Sequence, residues 1–164
     1  MSGDELSSFF YGIKQRHSRE QIVFLCIGTD RSSGDALGPL VGSRLVELGF
    51  EHVIGTLPSP CDAENLEQLL LSIPSESIII AIDACLGAAS SVGFFLVSGQ
   101  PLQPAQSVGR PLPAVGNYSV AAVVNANSPK PYWTLQMTSL HLVMQMADQI
   151  ALAVAKGFKG HNQA

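Results

Sequence analysis

Charged residues are scarce in this chain: they make up 13% of its 164 residues, whereas hydrophobic residues make up 46%. This composition excludes an intrinsically disordered chain, which needs high charge and low hydrophobicity. The formal net charge of −4 also argues against a protein that binds nucleic acid by neutralising phosphates. At this length we expect a domain with a substantial buried core.

Cysteine is scarce as well, because the chain has only three, at 26, 61 and 85. An odd number without paired spacing does not predict a disulfide framework, so reduced thiols are expected. No apolar run approaches the roughly 18 residues of a membrane span. The first residues also lack the basic start and apolar stretch of a signal peptide. We therefore expect a cytoplasmic protein with neither membrane nor nucleic acid as a partner.

Two uninterrupted apolar runs, at 22–27 and 78–82, dominate the hydrophobic pattern. Such β-branched runs are typical of strands buried on both faces of a parallel sheet. Apolar residues at helical spacing follow over 37–48 and again over 62–73, with a short strand around 52–57 between them. This β-α-β-α-β order predicts a three-layer α/β/α fold with a mostly parallel, doubly wound sheet.

The pattern loosens after residue 90, where further strands are predicted at 93–97 and 118–124. A flavodoxin-like order, 2-1-3-4-5, is expected for the five strands. A long final helix is predicted from a cap at Thr138 to a stop at Gly157. The resulting organisation is an N-terminal helical or flexible segment (1–20), one α/β domain (21–157) and a flexible tail (158–164).

Polar residues crowd the segments that leave the first and third strands. In such a sheet, ligands bind beyond the carboxyl ends of the strands where the strand order reverses. Asp35 lies in the glycine- and hydroxyl-rich loop 28–39 after the first strand, and Asp83 ends the third. Two carboxylates in one crevice repel, which raises one pKa and provides an acid and a base for water attack on an amide.

Each aspartate also has a structural interpretation. Asp35 precedes a helix and could serve as its N-cap, and Asp83 could accept backbone N–H groups in the next turn. The loop 28–39 matches neither a Walker loop nor G-x-G-x-x-G, although it could hold a flavin phosphate. Cys85 could approach the site, but a lone cysteine in an apolar stretch is more typical of packing.

Four segments carry a resemblance to a known family. They are 26–42, which contains Asp-Ala-Leu-Gly-Pro at 35–39, and the segments 82–87, 112–119 and 142–147. They resemble the YyaC-type sporulation proteins of endospore-forming bacteria, and the resemblance extends over residues 22 to about 155. That family is similar to the germination protease, which degrades small acid-soluble spore proteins, and more remotely to the hydrogenase maturation endopeptidases.

The resemblance implies a phosphorylase/hydrolase-like fold and an aspartic-type site. Asp35 and Asp83 match the two aspartates regarded as essential in the germination protease, so they are the expected catalytic pair. We expect Thr29, Asp30, Ser33, Gly34 and Asn117 to contact the substrate. The germination protease is a much longer chain with a propeptide, so its substrate recognition does not carry over. His141 has no secure counterpart among the nickel-binding residues of the hydrogenase endopeptidases, and neither a metal nor a cofactor is predicted.

The leading hypothesis is a peptidase of sporulation or germination, located in the forespore or mother cell. Its expected partner is a protein or peptide substrate, with the small acid-soluble spore proteins as candidates. Two alternatives remain open at this point: a non-catalytic regulatory or binding protein that keeps the fold, and a metal- or small-ligand-binding protein. The N-terminal aromatic residues and the methionine-rich last helix are compatible with a homo-oligomer.

Overall fold

The computed structural model describes residues 1–104 and 112–159. Helices and strands alternate along most of the chain. The elements are α1 (Gly3–Arg16), β1 (Ile22–Cys26), α2 (Leu37–Glu47), β2 (Val53–Ile54), α3 (Leu66–Leu71), β3 (Ile78–Gly87), β4 (Phe95–Ser98), β5 (Tyr118–Ala126), α4 (Pro131–Gln136) and α5 (Leu140–Lys159). A short 3₁₀ turn, Gly34–Ala36, leads directly into α2.

The five strands form one sheet in the order β2-β1-β3-β5-β4. Strands β2, β1, β3 and β5 run parallel, and β4 pairs antiparallel with β5 at the edge. The mostly parallel α/β sheet and the reversal of strand order between β1 and β3 are therefore confirmed. The expected order of the last two strands is wrong. The connection 88–94 is too short for the crossover of about a dozen residues that a parallel strand needs, so β4 runs antiparallel.

Helices cover both faces of the sheet, which gives the three layers. On one face, α1, α2 and α5 pack against the strands in a core that includes Phe10, Leu45, Ile82 and Ile150. On the other face, a smaller core joins α3 to side chains of β1 and β3 and to the segments around 102, 112 and 115. The site described below lies at the edge of this smaller core.

The last helix differs from its prediction at both ends. Ser139 rather than Thr138 caps it, because the Ser139 Oγ accepts the N–H of Leu142 at 3.3 Å. At the other end α5 continues through Gly157, which packs against Ser7 and Phe10 of α1. The first two residues of the predicted flexible tail are therefore helical, and 160–164 lie outside the described residues.

Two further expectations concern cysteines and membranes. All three cysteines are free thiols, as predicted. Within 1–104 and 112–159, none of the helices has the length and apolar character that crossing a bilayer requires.

Candidate active site

Asp83 lies where β3 extends beyond its neighbour β1. The last residue of β1, Cys26, pairs with Ile82, and the N–H of Ile27 donates to the Ile82 carbonyl at 2.8 Å. Beyond this point β1 turns away, so Asp83 borders the crevice between the two strands. Its side chain is only 6% exposed, and Oδ1 accepts the N–H of Ala84 at 2.8 Å. The backbone-acceptor role considered for Asp83 is thus real, and it coexists with a place in the wall of a cavity.

Asp35 lies in the 3₁₀ turn that precedes α2, half-buried beside the same crevice. Ala36 occupies the N-cap position of α2, and no side chain there makes a capping hydrogen bond. The capping interpretation of Asp35 is therefore wrong. Its main-chain carbonyl accepts the N–H of Thr29 at 2.9 Å, which closes the loop around the site.

Burial gives the Asp35 carboxyl an unusual titration. Removal from water raises the pKa of Asp35 above its ordinary value of 3.8, because the charged form loses solvation. The nearby Ser32 hydroxyl opposes this shift, although it makes no hydrogen bond of normal geometry. The expected cause was repulsion between two carboxylates, whereas burial is the largest cause in the structure.

Both aspartates line one cavity of about 310 Å³. In the part of the chain that the structure describes, its walls carry four carboxyl groups and one cationic side chain: Asp35, Asp62, Glu64, Asp83 and Arg31. One carboxylate oxygen of Asp62 makes structural hydrogen bonds: its Oδ1 accepts the N–H groups of Glu64 and Asn65 at 3.0 and 3.1 Å. A second cavity of about 220 Å³ shares Asp83 and Tyr132 with the first, and the other described residues that line it are uncharged.

The predicted substrate contacts are only partly brought together. Thr29 lines the first cavity, but Asp30, Ser33 and Gly34 are absent from its walls. Asp30 points into solvent, and a Cβ on Gly34 would meet the Leu135 carbonyl at 2.6 Å, so Gly34 packs against α4. Ser33 donates its hydroxyl proton to the Thr138 carbonyl at 2.6 Å. Ser33 and Gly34 therefore join the loop to the α4–α5 corner rather than to a ligand.

Asn117 lies at the wrong edge of the sheet for a substrate contact. Its N–H donates to the carbonyl of Ile79, and its Oδ1 accepts the N–H of Ile79, both at 2.8 Å. These residues begin β5 and β3, and parallel strands begin at the edge opposite the crevice. Asn117 therefore aligns two strands instead of binding substrate.

The sequence did not assign three side chains that line the cavity, namely Asp62, Glu64 and Tyr132, to the site. The signal for Asp62 and Glu64 was weak, because β2 is only two residues long and Cys61 joins Ile27 through a single bridge. Tyr132 follows β5, whose carboxyl end lies at the same edge as those of β1 and β3. That position could have predicted that Tyr132 lies near the site.

The structural role of Ser33 can be tested directly. We expect Ser33→Ala to lower the free energy of unfolding by about 1 kcal/mol, the usual contribution of one hydrogen bond. Urea denaturation measures this, with Ser90→Ala at an exposed position as the matched control. A substrate contact would instead leave stability unchanged and weaken peptide binding.

Thiol chemistry and a metal centre find no support at this edge. Burial, aided by the charge of Asp83, raises the pKa of the Cys85 thiol to about 11, so it remains protonated near neutral pH. Among the described residues, no three or more His, Cys, Asp or Glu side chains are grouped so that they could hold a metal ion. His141 is exposed near the start of α5.

The architecture belongs to the same class of α/β fold as a NiFe hydrogenase maturation protease, HycI from Thermococcus kodakarensis. The two structures superpose with a TM-score of 0.57 over 85% of this chain and 93% of that one. Sequence identity is 19%, so the likeness establishes the fold alone.

The sequence identifies the family more closely. Residues 2–153 match the family described as "Protein of unknown function (DUF1256)", and the chain belongs to that family. It is 44% identical over 135 residues to "Uncharacterized protein YyaC" of Bacillus subtilis. That match covers 79% of this chain and 66% of the relative, just under two thirds of its length.

Proposed function

We propose that this chain hydrolyses peptide bonds, with Asp35 and Asp83 as the reacting pair. The observation that carries the proposal is the shared cavity, since one half-buried and one buried carboxyl group line it at the reversal of strand order. Two carboxyl groups in unlike surroundings can divide the roles of acid and base. The fold shared with a protein described as a maturation protease is compatible with this chemistry.

The surroundings of the two groups suggest which role each takes. The raised pKa of Asp35 keeps its proton available closer to neutral pH, as a general acid requires. Asp83 accepts the main-chain N–H of Ala84 on Oδ1, and we assign it the role of the base.

The proposed reaction then follows in two steps. Asp83 removes a proton from water, whose oxygen bonds to the amide carbon while Asp35 protonates the developing oxyanion. The tetrahedral intermediate collapses with cleavage of the C–N bond. The leaving amine takes up the proton held by Asp83, and the hydroxyl proton returns to Asp35.

A hydrolysis assay tests the proposal. We expect the wild-type protein to cleave small acid-soluble spore proteins, the first candidates because the chain resembles sporulation proteins, and a combinatorial peptide mixture serves as a second substrate. The double variant Asp35→Asn/Asp83→Asn should form no detectable new amino termini, because each acid–base group contributes about 10²- to 10⁴-fold to the rate. The readout is mass spectrometry of the products.

The matched control is Asp4→Asn/Asp148→Asn, which removes two carboxylates from α1 and α5, away from the cavity. Its cleavage rate should equal that of the wild type. Equal cleavage by both double variants, or no cleavage by the wild type on either substrate, would refute the proposal. In the second case the protein would be a non-catalytic member of this fold.

A further inference from the structure

The crevice has a charged half and an uncharged half that meet at Asp83. Among the described residues, four carboxyl groups and one guanidinium, that of Arg31, line the first cavity. Of the described residues that line the second, Asp83 is the one with a charged side chain. Since Asp83 and Tyr132 belong to the walls of both, a chain lying across Asp83 would contact the two cavities in succession.

From this continuity we propose that the crevice binds an extended peptide with a lysine or arginine side chain in the first cavity and an aliphatic side chain in the second. The proposal rests on the proposed function, because it assigns the substrate class of that same site. Successive side chains of an extended peptide lie about 3.3 Å apart along the chain and alternate in direction, so two nearby side chains can enter separate cavities.

The charge of the first cavity favours a cation. Glu64 is exposed at its rim, and Asp62 keeps Oδ2 available while its Oδ1 caps the turn before α3. An anionic substrate group would face these carboxylates as well as that of Asp83, and like charges brought together are unfavourable. The guanidinium of Arg31, the one cationic group in the described part of the wall, does not outweigh these carboxylates.

Ser32 gives independent support for a polar ligand in this cavity. Its side chain is 8% exposed, and its Oγ makes no hydrogen bond of normal geometry among the described residues, although the hydroxyl lowers the pKa of the neighbouring Asp35 carboxyl. A buried hydroxyl without a well-formed hydrogen bond costs free energy, so a ligand that supplies one gains affinity there. Ser32 belongs to the wall of the first cavity, as Asp35 does.

The second cavity matches an aliphatic side chain. Its walls include Ala84 and Leu86 of β3, Ala121 of β5, and Leu102 and Leu135. Its volume of about 220 Å³ admits a side chain of leucine size, whose burial contributes about 1.5–3 kcal/mol in apolar surroundings. Tyr132 is 50% exposed and packs edge to face on Trp133 at 5.8 Å between ring centres, so an aromatic wall stands where the cavities adjoin.

Peptide binding to the Asp35→Asn protein tests the inference without turnover. The probes are capped alanine-based hexapeptides that carry one lysine and one leucine in either order at one- and two-residue spacings. Calorimetry should show affinity weakened about tenfold or more when lysine is replaced by glutamate, and similarly when leucine is replaced by serine. Added salt should weaken binding of the lysine peptide.

Matched variants locate each preference. Glu64→Gln should weaken the lysine peptide about two- to fivefold, as for an exposed ion pair, whereas Glu67→Gln on α3, outside the cavity walls, should have no effect. Ala121→Leu should fill the second cavity and remove the leucine preference. If that variant loses its cooperative thermal transition, Leu102→Ala replaces it, and the preference should move from leucine to phenylalanine.

Three results would overturn the inference: no binding of any probe, indifference to the lysine or leucine replacement, or equal effects of the Glu64 and Glu67 variants. The proposed function fails separately. Selective binding without hydrolysis by the wild type would leave the cleft assignment standing and remove the peptidase. Hydrolysis by the wild type without a preference for lysine or leucine would support the peptidase and refute the cleft assignment.

Discussion

Asp35→Asn is expected to make the protein more stable while removing at least about 10²-fold of its peptide hydrolysis. The two effects share one cause. Burial raises the pKa of the Asp35 carboxyl, so its charged form is unfavourable in the folded protein at neutral pH. Asparagine keeps the shape without the charge, but it cannot protonate the developing oxyanion.

The pH dependence of stability has a definite sign. The folded protein holds the Asp35 proton more tightly than the unfolded chain, whose aspartates titrate near 3.8. Below that pH both states are protonated, and Asp35 does not favour either. As the pH rises above 3.8 and through the raised folded pKa, the unfolded state gains the advantage, so the wild type loses stability that Asp35→Asn keeps. The difference in melting temperature should grow over this range to a few degrees near neutral pH.

Asp30→Asn is the control for this experiment, because Asp30 lies in the same loop but is exposed. It removes the same charge and should change neither melting temperature nor hydrolysis appreciably. Thermal unfolding at a series of pH values measures the stability, and initial rates measure the activity. A lower melting temperature for Asp35→Asn at neutral pH would show that the carboxylate stabilises the folded protein. Asp35 would then be a structural residue.

The convergence of Asp35 and Asp83 could be predicted because it depends on few elements. Buried parallel strands have a strong sequence signal, and β1 is buried at every position. Once β1 and β3 are identified as neighbours, their carboxyl ends must lie at one edge. The register that places Asp83 one residue past the end of β1 comes from the structure, in which Cys26 pairs with Ile82.

The failed predictions depended on contacts between distant segments. Ser33 and Gly34 are residue types common in ligand-binding loops. Both instead contact the α4–α5 corner, roughly a hundred residues later in the chain. Asn117 was assigned to the crevice although it precedes its strand, so parallel geometry alone places it at the other edge. Ser32, by contrast, shares the loop composition of Ser33, and only packing decides which of the two faces the cavity.

Gly38→Ala is expected to cause the largest loss of stability of any variant considered, at or above the roughly 3 kcal/mol upper end for overpacking. A Cβ there would lie 2.6 Å from the carbonyl carbon and 2.7 Å from the nitrogen of Ile27, and closer still to its oxygen. Carbon atoms in contact normally lie about 3.5–4.0 Å apart. Because all three neighbours are backbone atoms, no side-chain rotation relieves the clash.

The displaced backbone would also disturb the site. Ile27 is held from both sides, since its N–H donates to Ile82 and it bridges to Cys61, so α2 is the element that must move. Asp35 lies three residues before Gly38 in the same turn-helix segment and would move with it. We therefore expect loss of hydrolysis together with loss of stability, in contrast to the opposed effects of Asp35→Asn.

Gly12→Ala provides the matched control for this clash. Gly12 lies inside α1, and a Cβ added there would meet no atom within 4 Å. In an open helical position alanine is favoured over glycine by about 1 kcal/mol, so the same substitution should stabilise the protein. Urea unfolding of both variants compares the two helical glycines directly. If Gly38→Ala behaved like Gly12→Ala, the close packing of α2 on Ile27 would be wrong, and the position of Asp35 that depends on it would be wrong as well.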